Sequence, residues 1–197
     1  MRKIDKLPAK GRLAIISGPS GVGKGTLVGK ILDRVPDIYL SISATTRPPR
    51  AGETDGVGYY FMSREDFVRD IENGSFLEWA NIYGDLYGTP KAPVDRELGA
   101  GRLVVLEIDV QGALQVQDKL GHKADYIFIM PPSSEELAKR LGERRTETDQ
   151  ARKTRLETAE QEIALADRYD YVVINDNLEQ AVEQLEDILL HKIVKED

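Results

Sequence analysis

The sequence predicts an α/β fold in which helices flank a parallel β-sheet and a small mixed α+β insertion interrupts the core. Three observations indicate this fold. Short apolar runs of strand character recur along the chain, with helical patterns between or after them. A glycine-rich loop joins the first of these runs to a helix. Between about residues 38 and 93 the pattern changes to short extended pieces rich in Tyr, Gly and Pro.

Four apolar runs are the predicted strands of the parallel sheet. They are Leu13 to Ser17, Leu103 to Ile108, Tyr126 to Met130 and Tyr171 to Ile174. Parallel strands require long crossover connections, which are usually helical. The helical patterns along the chain supply such connections, so we expect these strands to share one sheet.

The segment from residue 12 to 31 has the order of a phosphate-binding loop: a strand, a glycine-rich turn and the start of a helix. Gly18, Gly23 and Lys24 have the spacing of this motif. Glycines let backbone N–H groups converge on phosphate oxygens, the helix N-terminus adds further N–H groups, and Lys24 adds a mobile cation. The lysine and the flanking elements favour this interpretation over a glycine-rich turn without a ligand. The chain is therefore expected to bind a nucleoside triphosphate.

One position departs from the commonest form of the motif. Gly25 stands where a Ser or Thr usually places a hydroxyl on magnesium, and Thr26 follows it. Direct ligation of Mg²⁺ by protein is therefore open, with Thr26 as the candidate ligand. Because Mg²⁺ keeps several waters and binds substrate phosphates, a site with few protein ligands fits.

Three core helices are predicted from their periodicity and their ends. The helix after the loop stops before Pro36. Ser133, three residues before Glu136, predicts a capping box at the start of a second helix. A third helix follows Asp176 and Asn177, either of which can cap it. Its apolar face comprises Leu178, Val182, Leu185, Ile188, Leu189 and Ile193.

The insertion is predicted to contain one helix, over residues 64–73, and a small antiparallel sheet. Gly84 and Asp85 are suited to a tight hairpin turn in the segment 83–87. Such a sheet can close over a ligand held at the carboxyl ends of the main strands.

Two arginines in the insertion form a second candidate anion site. The segment Arg47-Pro-Pro-Arg50 favours a polyproline course with three residues per turn, which places both guanidinium groups on one side. Arginine binds phosphate in a bidentate manner, and the hydroxyls of Tyr59 and Tyr87 can donate to the same anion. The alternative is a solvated polar loop.

Length and composition limit the class of protein. The 197 residues suit one α/β unit with small insertions, and two independent domains are not expected. With 41% hydrophobic and 31% charged residues the composition is that of a globular protein, and no apolar run is long enough to cross a bilayer. The first residues lack the apolar stretch of a secretory signal, so we expect a cytoplasmic location.

The net charge argues against nonspecific nucleic-acid binding, and the residue types available for metal binding exclude a zinc site. A net charge of −7 argues against a nonspecific nucleic-acid-binding protein, which requires a broad positive field. The chain has no cysteine, and its two separate histidines, His122 and His191, cannot form a zinc site. An anionic ligand must therefore meet local clusters of arginine. No obligate protein partner is evident from the sequence.

Taken together, the motifs resemble those of the guanylate kinases, which are nucleoside monophosphate kinases with a P-loop NTPase-type core. The matching segments follow the family's order over nearly the whole chain. They are GPSGVGKGT at 18–26, SISATTRPPRAGETDGVGYYF at 41–61, FLEWANIYGDLYGTP at 76–90, LEIDVQGA at 106–113, PPSSEEL at 131–137, RRTETD at 144–149 and VVIND at 172–176.

The resemblance implies a core that binds ATP, an insertion that binds GMP and a short arginine-bearing lid. In this division the core comprises residues 1–37, 94–134 and 156–197, the insertion residues 38–93 and the lid residues 135–155. The implied reaction is the phosphorylation of GMP, and of dGMP, by ATP with Mg²⁺, in purine nucleotide metabolism and GMP recycling. ATP and GMP are the expected partners.

By position in the motifs, the resemblance implies three groups of site residues. The ATP-binding residues are Gly18, Pro19, Ser20, Gly21, Val22, Gly23, Lys24, Gly25, Thr26 and Asn175. The GMP-binding residues are Ser43, Glu78, Thr89 and Asp109 at the guanine and Arg47, Arg50, Tyr59 and Tyr87 at the phosphate. The catalytic residues are Lys24, Arg47, Arg140, Arg144 and Arg155, which would stabilise the transferring phosphoryl group.

Residue chemistry supports the implied role of Glu78. A carboxylate only accepts hydrogen bonds, so it fits the adjacent N1–H and amino donors of guanine, whereas adenine presents an acceptor at N1. A solvated Glu78 is the alternative, against which its neighbours Leu77 and Trp79 argue. Asp109 is also a candidate to organise Mg²⁺ through water, and Glu107 is a weaker one.

Two other functions are consistent with parts of this pattern. Guanylate-kinase-like domains also serve as noncatalytic protein-binding modules, against which the intact loop around Lys24 argues. A kinase of another nucleoside monophosphate would share the phosphate loop but has no reason for Glu78. Arg145 departs from the family, which usually has glycine there, and it adds one cation to the lid.

Overall fold

The computed structural model describes residues 11–142 and 149–192. Its strands are β1 (Arg12–Ser17), β2 (Tyr39–Leu40), β3 (Ser43–Thr45), β4 (Tyr59–Phe61), β5 (Phe76–Ile82), β6 (Asp85–Pro90), β7 (Leu103–Glu107), β8 (Asp125–Met130) and β9 (Tyr171–Ile174). Its helices are α1 (Lys24–Arg34), α2 (Arg64–Glu72), α3 (Lys91–Gly99), α4 (Val110–Leu120), α5 (Ser134–Gly142), α6 (Asp149–Ile163) and α7 (Leu178–Asp187). The predicted lid residues Arg144 and Arg145 lie outside the described residues.

Five strands form one parallel sheet in the order β2-β7-β1-β8-β9. This confirms the predicted α/β fold. Strand β1 lies in the centre, and helices α1 and α7 pack on one face of the sheet while α3 and α4 pack on the other. The chain runs from β1 to β2 on one side of β1 and from β7 to β8 on the other, so the connections that leave the carboxyl ends of these neighbouring strands diverge and leave a crevice. The glycine-rich loop begins at this crevice.

Two residues of the predicted insertion belong to the parallel sheet instead. Tyr39 and Leu40 pair with Val104 and Val105 of β7. A strand of two residues is too short to show an alternating pattern in the sequence, so only the long-range pairing identifies it.

The insertion forms a second, mixed sheet in the order β4-β3-β6-β5. The pair β3 and β4 is parallel, whereas the other two pairs are antiparallel as expected. Ile82 pairs with Asp85, so the hairpin turn consists of Tyr83 and Gly84, with φ angles of 52° and 98°. The prediction of a Gly84-Asp85 turn was therefore wrong by one residue. Positive φ at both central positions gives the two-residue turn whose twist matches the strands.

The helix ends show which capping predictions the structure supports. The Ser133 hydroxyl accepts a hydrogen bond from the Glu136 N–H at 3.1 Å. The Glu136 carboxylate instead accepts from Arg140 Nε at 3.1 Å. Ser133 thus caps α5, but its predicted capping partner faces another residue. At α7 the cap is Asn177, whose side chain accepts from the Gln180 N–H at 3.1 Å.

The apolar face predicted for the C-terminal helix packs into the core. Val182, Leu185, Ile188 and Leu189 are buried against the parallel sheet and α1, and Leu178 is partly buried there. The predicted last member, Ile193, lies outside the described residues. Of the helices in the described ranges, none combines the length and the apolar character needed to span a membrane.

The insertion has a small core of its own. Phe67 of α2 is fully buried and stacks on Phe76 of β5 with ring centroids 4.4 Å apart. Ala44 and Leu86 complete the buried cluster. Because the cluster is so small, one large side chain supplies much of the apolar contact that holds α2 on this sheet.

We predict that Phe67→Ala lowers the free energy of unfolding by about 3–5 kcal/mol, because it removes a fully buried ring and leaves a cavity. Urea denaturation measures this change. Val68→Ala on the same helix is the control, since Val68 is 41% exposed and its truncation should shift the free energy by less than about 0.5 kcal/mol. Equal effects of the two substitutions would contradict the assigned packing.

Candidate active site

The glycine-rich loop forms an anion cradle at the end of β1. Gly18, Gly21 and Gly23 all have positive φ angles, of 146°, 83° and 96°. A Cβ at Gly18 would lie only 2.3 Å from the carbonyl oxygen of Ile129 on β8, so the loop can approach the sheet only without a side chain there. No side chain caps α1 at Gly23, which leaves the first N–H groups of α1 available to a ligand.

Lys24 folds back over the loop. Its Nζ donates to the carbonyl oxygen of Gly18 at 2.5 Å and to that of Pro19 at 3.2 Å. Burial lowers the pKa of Lys24, while Glu107, Glu162 and Asp109 oppose this effect electrostatically. The predicted phosphate-binding lysine therefore lies at the loop and is surrounded by carboxylates.

Asn175 and Arg140 hold the other side of the loop. Asn175 Nδ2 donates to the carbonyl oxygen of Val22 at 2.7 Å, and Asn175 is buried. Arg140 Nη1 donates to the carbonyl oxygen of Asn175 at 3.2 Å. The structure thus brings one predicted lid residue and one predicted ATP-binding residue together at the phosphate loop.

Arg155, a second predicted lid residue, contacts the insertion. Its guanidinium carbon lies 5.4 Å from the centre of the Tyr83 ring at the tip of the β5–β6 hairpin. This cation–π distance links α6 to the insertion across the cleft. The third predicted lid residue, Arg144, lies outside the described residues.

Glu162 is a residue of this site that sequence reasoning missed. Burial raises its pKa to about 7, an effect opposed by Lys24 and by the backbone N–H of Ser20. It lies near the end of α6, in a mostly polar helix with no motif of its own. No local signal in the sequence distinguishes it from the exposed glutamates nearby.

Arg47 lies in a cluster with one carboxylate and two aromatic rings. Its two terminal nitrogens donate to the two carboxylate oxygens of Glu53, each at 2.9 Å. The guanidinium carbon lies 5.5 Å from the ring centre of Tyr59 and 5.6 Å from that of Phe61. The hydrogen bonds from Arg47 and the Arg50 N–H lower the pKa of Glu53 to about 2. Glu53 was not predicted, although it lies within a matched motif.

The other predicted phosphate-binding residues of the insertion are arranged around Arg47. The ring of Tyr87 packs edge-on against that of Tyr59, with centroids 5.9 Å apart. Arg50 joins the cluster through its backbone N–H, which donates to Glu53 Oε2 at 2.6 Å, while its side chain is exposed. The structure therefore brings Arg47, Tyr59 and Tyr87 together, and leaves the Arg50 side chain exposed.

Glu78 is buried at the junction between the insertion and the core, with only 3% of the residue exposed. The Thr89 hydroxyl of the neighbouring strand donates to Glu78 Oε1 at 2.6 Å. Burial raises the pKa of Glu78 to about 7, and the nearby carboxylate of Asp109 raises it further. Glu78 and Thr89, predicted as guanine-binding residues, are thus in direct contact.

Asp109 approaches the same point from the core. It caps α4, where its Oδ1 accepts from the Gly112 N–H at 2.9 Å, and burial raises its pKa. Ser43 of β3 is half-buried and lies opposite Tyr59 in the register of β3 and β4. Its strand, β3, lies between β4, which carries Tyr59, and β6, which carries Tyr87 and Thr89.

Residues suited to a metal ion lie at the start of α1. Thr26 is exposed in the first turn of this helix. A Cβ on Gly25 would lie 3.4 Å from Glu107 Oε1, so a carboxylate borders the place where the commoner motif has a hydroxyl. Within residues 11–142 and 149–192, no group of three or more acidic or histidine side chains is arranged to hold a metal ion alone.

Comparison with known proteins identifies the family. The model of the family described as guanylate kinase matches residues 10–192. The chain belongs to the guanylate kinase family. A guanylate kinase of Clostridium perfringens is 50% identical over 190 residues, which cover 96% of this chain and 87% of that protein. A guanylate kinase of Gloeobacter violaceus is 51% identical over 185 residues, which cover 94% and 90%.

A solved guanylate kinase structure agrees in fold. The crystal structure of guanylate kinase from Anaplasma phagocytophilum superposes with a TM-score of 0.79 at 34% identity, covering 96% of this chain and 90% of that one. The resemblance found in the sequence motifs is therefore confirmed. The roles assigned to individual residues of this chain stay predictions.

We predict that the stability difference between the parent protein and Glu78→Gln depends on pH. The folded-state pKa of Glu78, about 7, lies above its ordinary value of 4.5, so the folded state favours the neutral acid. Below pH 4.5 Glu78 is protonated in both states, and the folded protein has its full free energy of unfolding. As the pH rises from 4.5 through 7 this free energy falls, because the ionised carboxylate is disfavoured in the folded state. Glu78→Gln should therefore be the more stable protein at pH 8, by on the order of 3 kcal/mol, and not at pH 4.5.

Urea denaturation of both proteins between pH 4.5 and 8 measures this difference. Glu162, whose pKa is also raised by burial, is present in both proteins and cancels in the comparison. A difference that stayed constant over this range would show that Glu78 titrates normally in the folded protein.

Proposed function

We propose that the chain transfers the γ-phosphoryl group of ATP to GMP, and to dGMP, giving ADP and the corresponding diphosphate. The observation that carries this proposal is the buried Glu78, which accepts from Thr89 beside Asp109 in a chain that also has a phosphate loop. A buried carboxylate that faces a ligand site requires a donor-rich partner. The N1–H and amino group of guanine supply two adjacent donors.

On the ATP side, the loop from Gly18 to Thr26 binds the triphosphate through backbone N–H groups and Lys24. The hydrogen bonds from Lys24 to the Gly18 and Pro19 carbonyl oxygens hold its ammonium group at the loop. Asn175 and Arg140 support the loop from behind through the Val22 and Asn175 carbonyl oxygens. Binding of phosphate here gains from the positive end of the α1 dipole.

On the GMP side, Glu78, Thr89, Asp109 and Ser43 bind the guanine base, and four residues bind the phosphate. These four are Arg47, Arg50, Tyr59 and Tyr87. Because Arg47 already pairs with Glu53, its guanidinium is held in one orientation before the phosphate arrives. Preorganisation of this kind reduces the entropy lost on binding.

Transfer itself depends on positioning and on cationic stabilisation of the phosphoryl group. Lys24, Arg47, Arg140, Arg144 and Arg155 are the proposed cations. Arg140 lies at the loop and Arg155 reaches the hairpin of the insertion, so the two approach the cleft from its two sides. Phosphoryl transfer requires little covalent help from protein, so such charges account for most of the acceleration.

Magnesium fits the residues at the start of α1. Hydroxyl and carboxylate oxygens are its preferred protein ligands, and Thr26 and Glu107 present them beside the loop. We propose that Thr26 binds the ion directly and that Glu107 binds its waters. When bound, Mg²⁺ neutralises charge on the phosphates of ATP. The cytoplasmic location expected from the sequence stays a prediction.

A phosphate-acceptor screen tests the proposed function. Purified protein with ATP and Mg²⁺ should produce ADP with GMP and dGMP, and hardly any with AMP, CMP or UMP. Lys24→Met should lower kcat for GMP by about 100-fold or more, because it removes a cation from the transferring group. A coupled assay for ADP measures both.

Two outcomes would contradict parts of the proposal. Equal turnover of AMP would contradict guanine recognition, and an unchanged kcat in Lys24→Met would remove Lys24 from the reaction.

Glu78→Gln should lower kcat/KM for GMP much more than it weakens the binding of ATP, because Glu78 lies in the insertion whereas the proposed ATP site lies at the loop that contains Lys24.

A further inference from the structure

Strand β5, which carries Glu78, is the edge strand of the insertion sheet and lies against α4 of the core. Leu77 and Trp79 are two residues apart, so backbone groups of both point to the free edge of β5, away from β6. Unpaired backbone groups at a sheet edge require other partners when they are covered by protein. Here the partners are side chains of α4.

Two side chains of α4 pair with this edge. Gln115 Nε2 donates to the carbonyl oxygen of Trp79 at 2.6 Å, and Gln115 Oε1 accepts from the Trp79 N–H at 3.3 Å. Lys119 Nζ donates to the carbonyl oxygen of Leu77 at 2.6 Å. Glu78 thus lies between two backbone positions that are each bonded to the core.

A third residue of α4 meets the Glu78 side chain itself. A Cβ on Gly112 would lie 2.4 Å from Glu78 Oε2 and 3.1 Å from Asp109 Oδ1. The carboxylate therefore occupies the space that any side chain at Gly112 would fill. Glu78 cannot shift easily, because Thr89 holds its other oxygen at 2.6 Å.

The cap residue and three residues of α4 form one stripe along the helix. Asp109, Gly112, Gln115 and Lys119 are separated by three, three and four positions, which places them on the same face. Asp109 is a predicted guanine-binding residue, so the stripe connects it to the backbone on both sides of Glu78. The stripe fixes the distance between two carboxylates that belong to different parts of the chain.

We propose that Gly112, Gln115 and Lys119 are positioning residues that set the selectivity for guanine by fixing Glu78 relative to Asp109. The inference rests on the proposed role of Glu78 in guanine binding. None of the three needs to touch the nucleotide. Gln115 and Lys119 hold the backbone of β5, and Gly112 leaves room for the carboxylate.

The cleft beside Lys119 makes a clean substitution available. Lys119 lines a cleft of about 400 Å³ together with Leu77, Val94 and Leu98. Lys119→Met keeps an unbranched apolar chain in this cleft, with sulfur in place of one methylene, and removes the ammonium group. Gln115→Ala removes both hydrogen bonds to Trp79.

The test compares kcat/KM for GMP with kcat/KM for IMP, which has the guanine N1–H but lacks the 2-amino group. In Gln115→Ala and Lys119→Met we expect the ratio of GMP to IMP to fall by about tenfold, because a displaced Glu78 loses its contact with the amino group. KM for ATP should not change. A purely structural role would lower kcat/KM for both nucleotides by the same factor and leave the ratio unchanged.

Two control variants separate positioning from general damage. Gln117→Ala removes a similar bond from the same helix, since Gln117 Nε2 donates to the carbonyl oxygen of Arg168 at 2.7 Å, but this bond does not reach β5. It should leave the ratio of GMP to IMP unchanged. Lys119→Arg keeps a cationic donor for the Leu77 carbonyl oxygen and should retain most of the parent ratio.

Gly112→Ala tests the inference without removing any hydrogen-bonding side chain. Gly112 lies in the first turn of α4, and alanine has the higher helix propensity, so α4 itself should remain folded. The added Cβ should displace the Glu78 carboxylate and lower the ratio of GMP to IMP by about tenfold or more. Circular dichroism checks that each variant is folded.

Glu78→Gln distinguishes failure of this inference from failure of the proposed site. If Glu78→Gln keeps the parent ratio of GMP to IMP, the role of Glu78 is wrong, and the inference falls with it. If Glu78→Gln lowers the ratio but Gly112→Ala, Gln115→Ala and Lys119→Met do not, the positioning inference alone is overturned. A lowered ratio in all four supports both.

Discussion

The proposed active site depends on one buried carboxylate at the junction between the insertion and the parallel-sheet core. Glu78 lies on a strand of the insertion, yet the residues that surround it come from both parts of the fold. Thr89 donates to it from the neighbouring strand, while Gly112 and Asp109 approach it from α4. An ionised carboxylate loses much of its hydration on burial, which is why its pKa rises to about 7. A group so costly to bury, placed at the carboxyl end of the sheet, is typical of a binding site.

The parallel sheet explains why the two proposed nucleotide sites can face each other. The phosphate loop follows the central strand β1. Glu107 ends the neighbouring strand β7, and Asp109 lies two residues later. Both therefore lie at the same edge of the sheet, as parallel strands require. Strand β5 brings the insertion to this edge, since side chains of α4 donate hydrogen bonds to its backbone. Local geometry at each site is thus set by elements that are rigid and well packed.

The sequence predicted what depends on local pattern and missed what depends on distant contacts. The strand, loop and helix around Lys24 were predicted because glycine spacing and apolar runs are visible in one segment. Glu162 was missed because its partner, the phosphate loop, lies far away along the sequence. Glu53 lies only six positions from Arg47, and it was missed because the motif assigned no role to it. Strand β2 was missed because two residues carry no period. The hairpin turn was predicted one residue late, since Tyr83 at positive φ is unusual for a residue other than glycine. The assignments at Glu78 and Asp109 came from the family motifs, and residue chemistry alone supported only the first.

The ionisation of Glu78 provides the most direct measurement of the central claim. Carbon-13 NMR of the side-chain carboxyl groups, with Glu78→Gln used to assign the signal, follows its titration in the free protein and in the complex with GMP. The account predicts a midpoint near 7 in the free protein and a clearly lower one with GMP bound, because guanine donors stabilise the ionised form. An ordinary midpoint in the free protein, or one that GMP leaves unchanged, would contradict it.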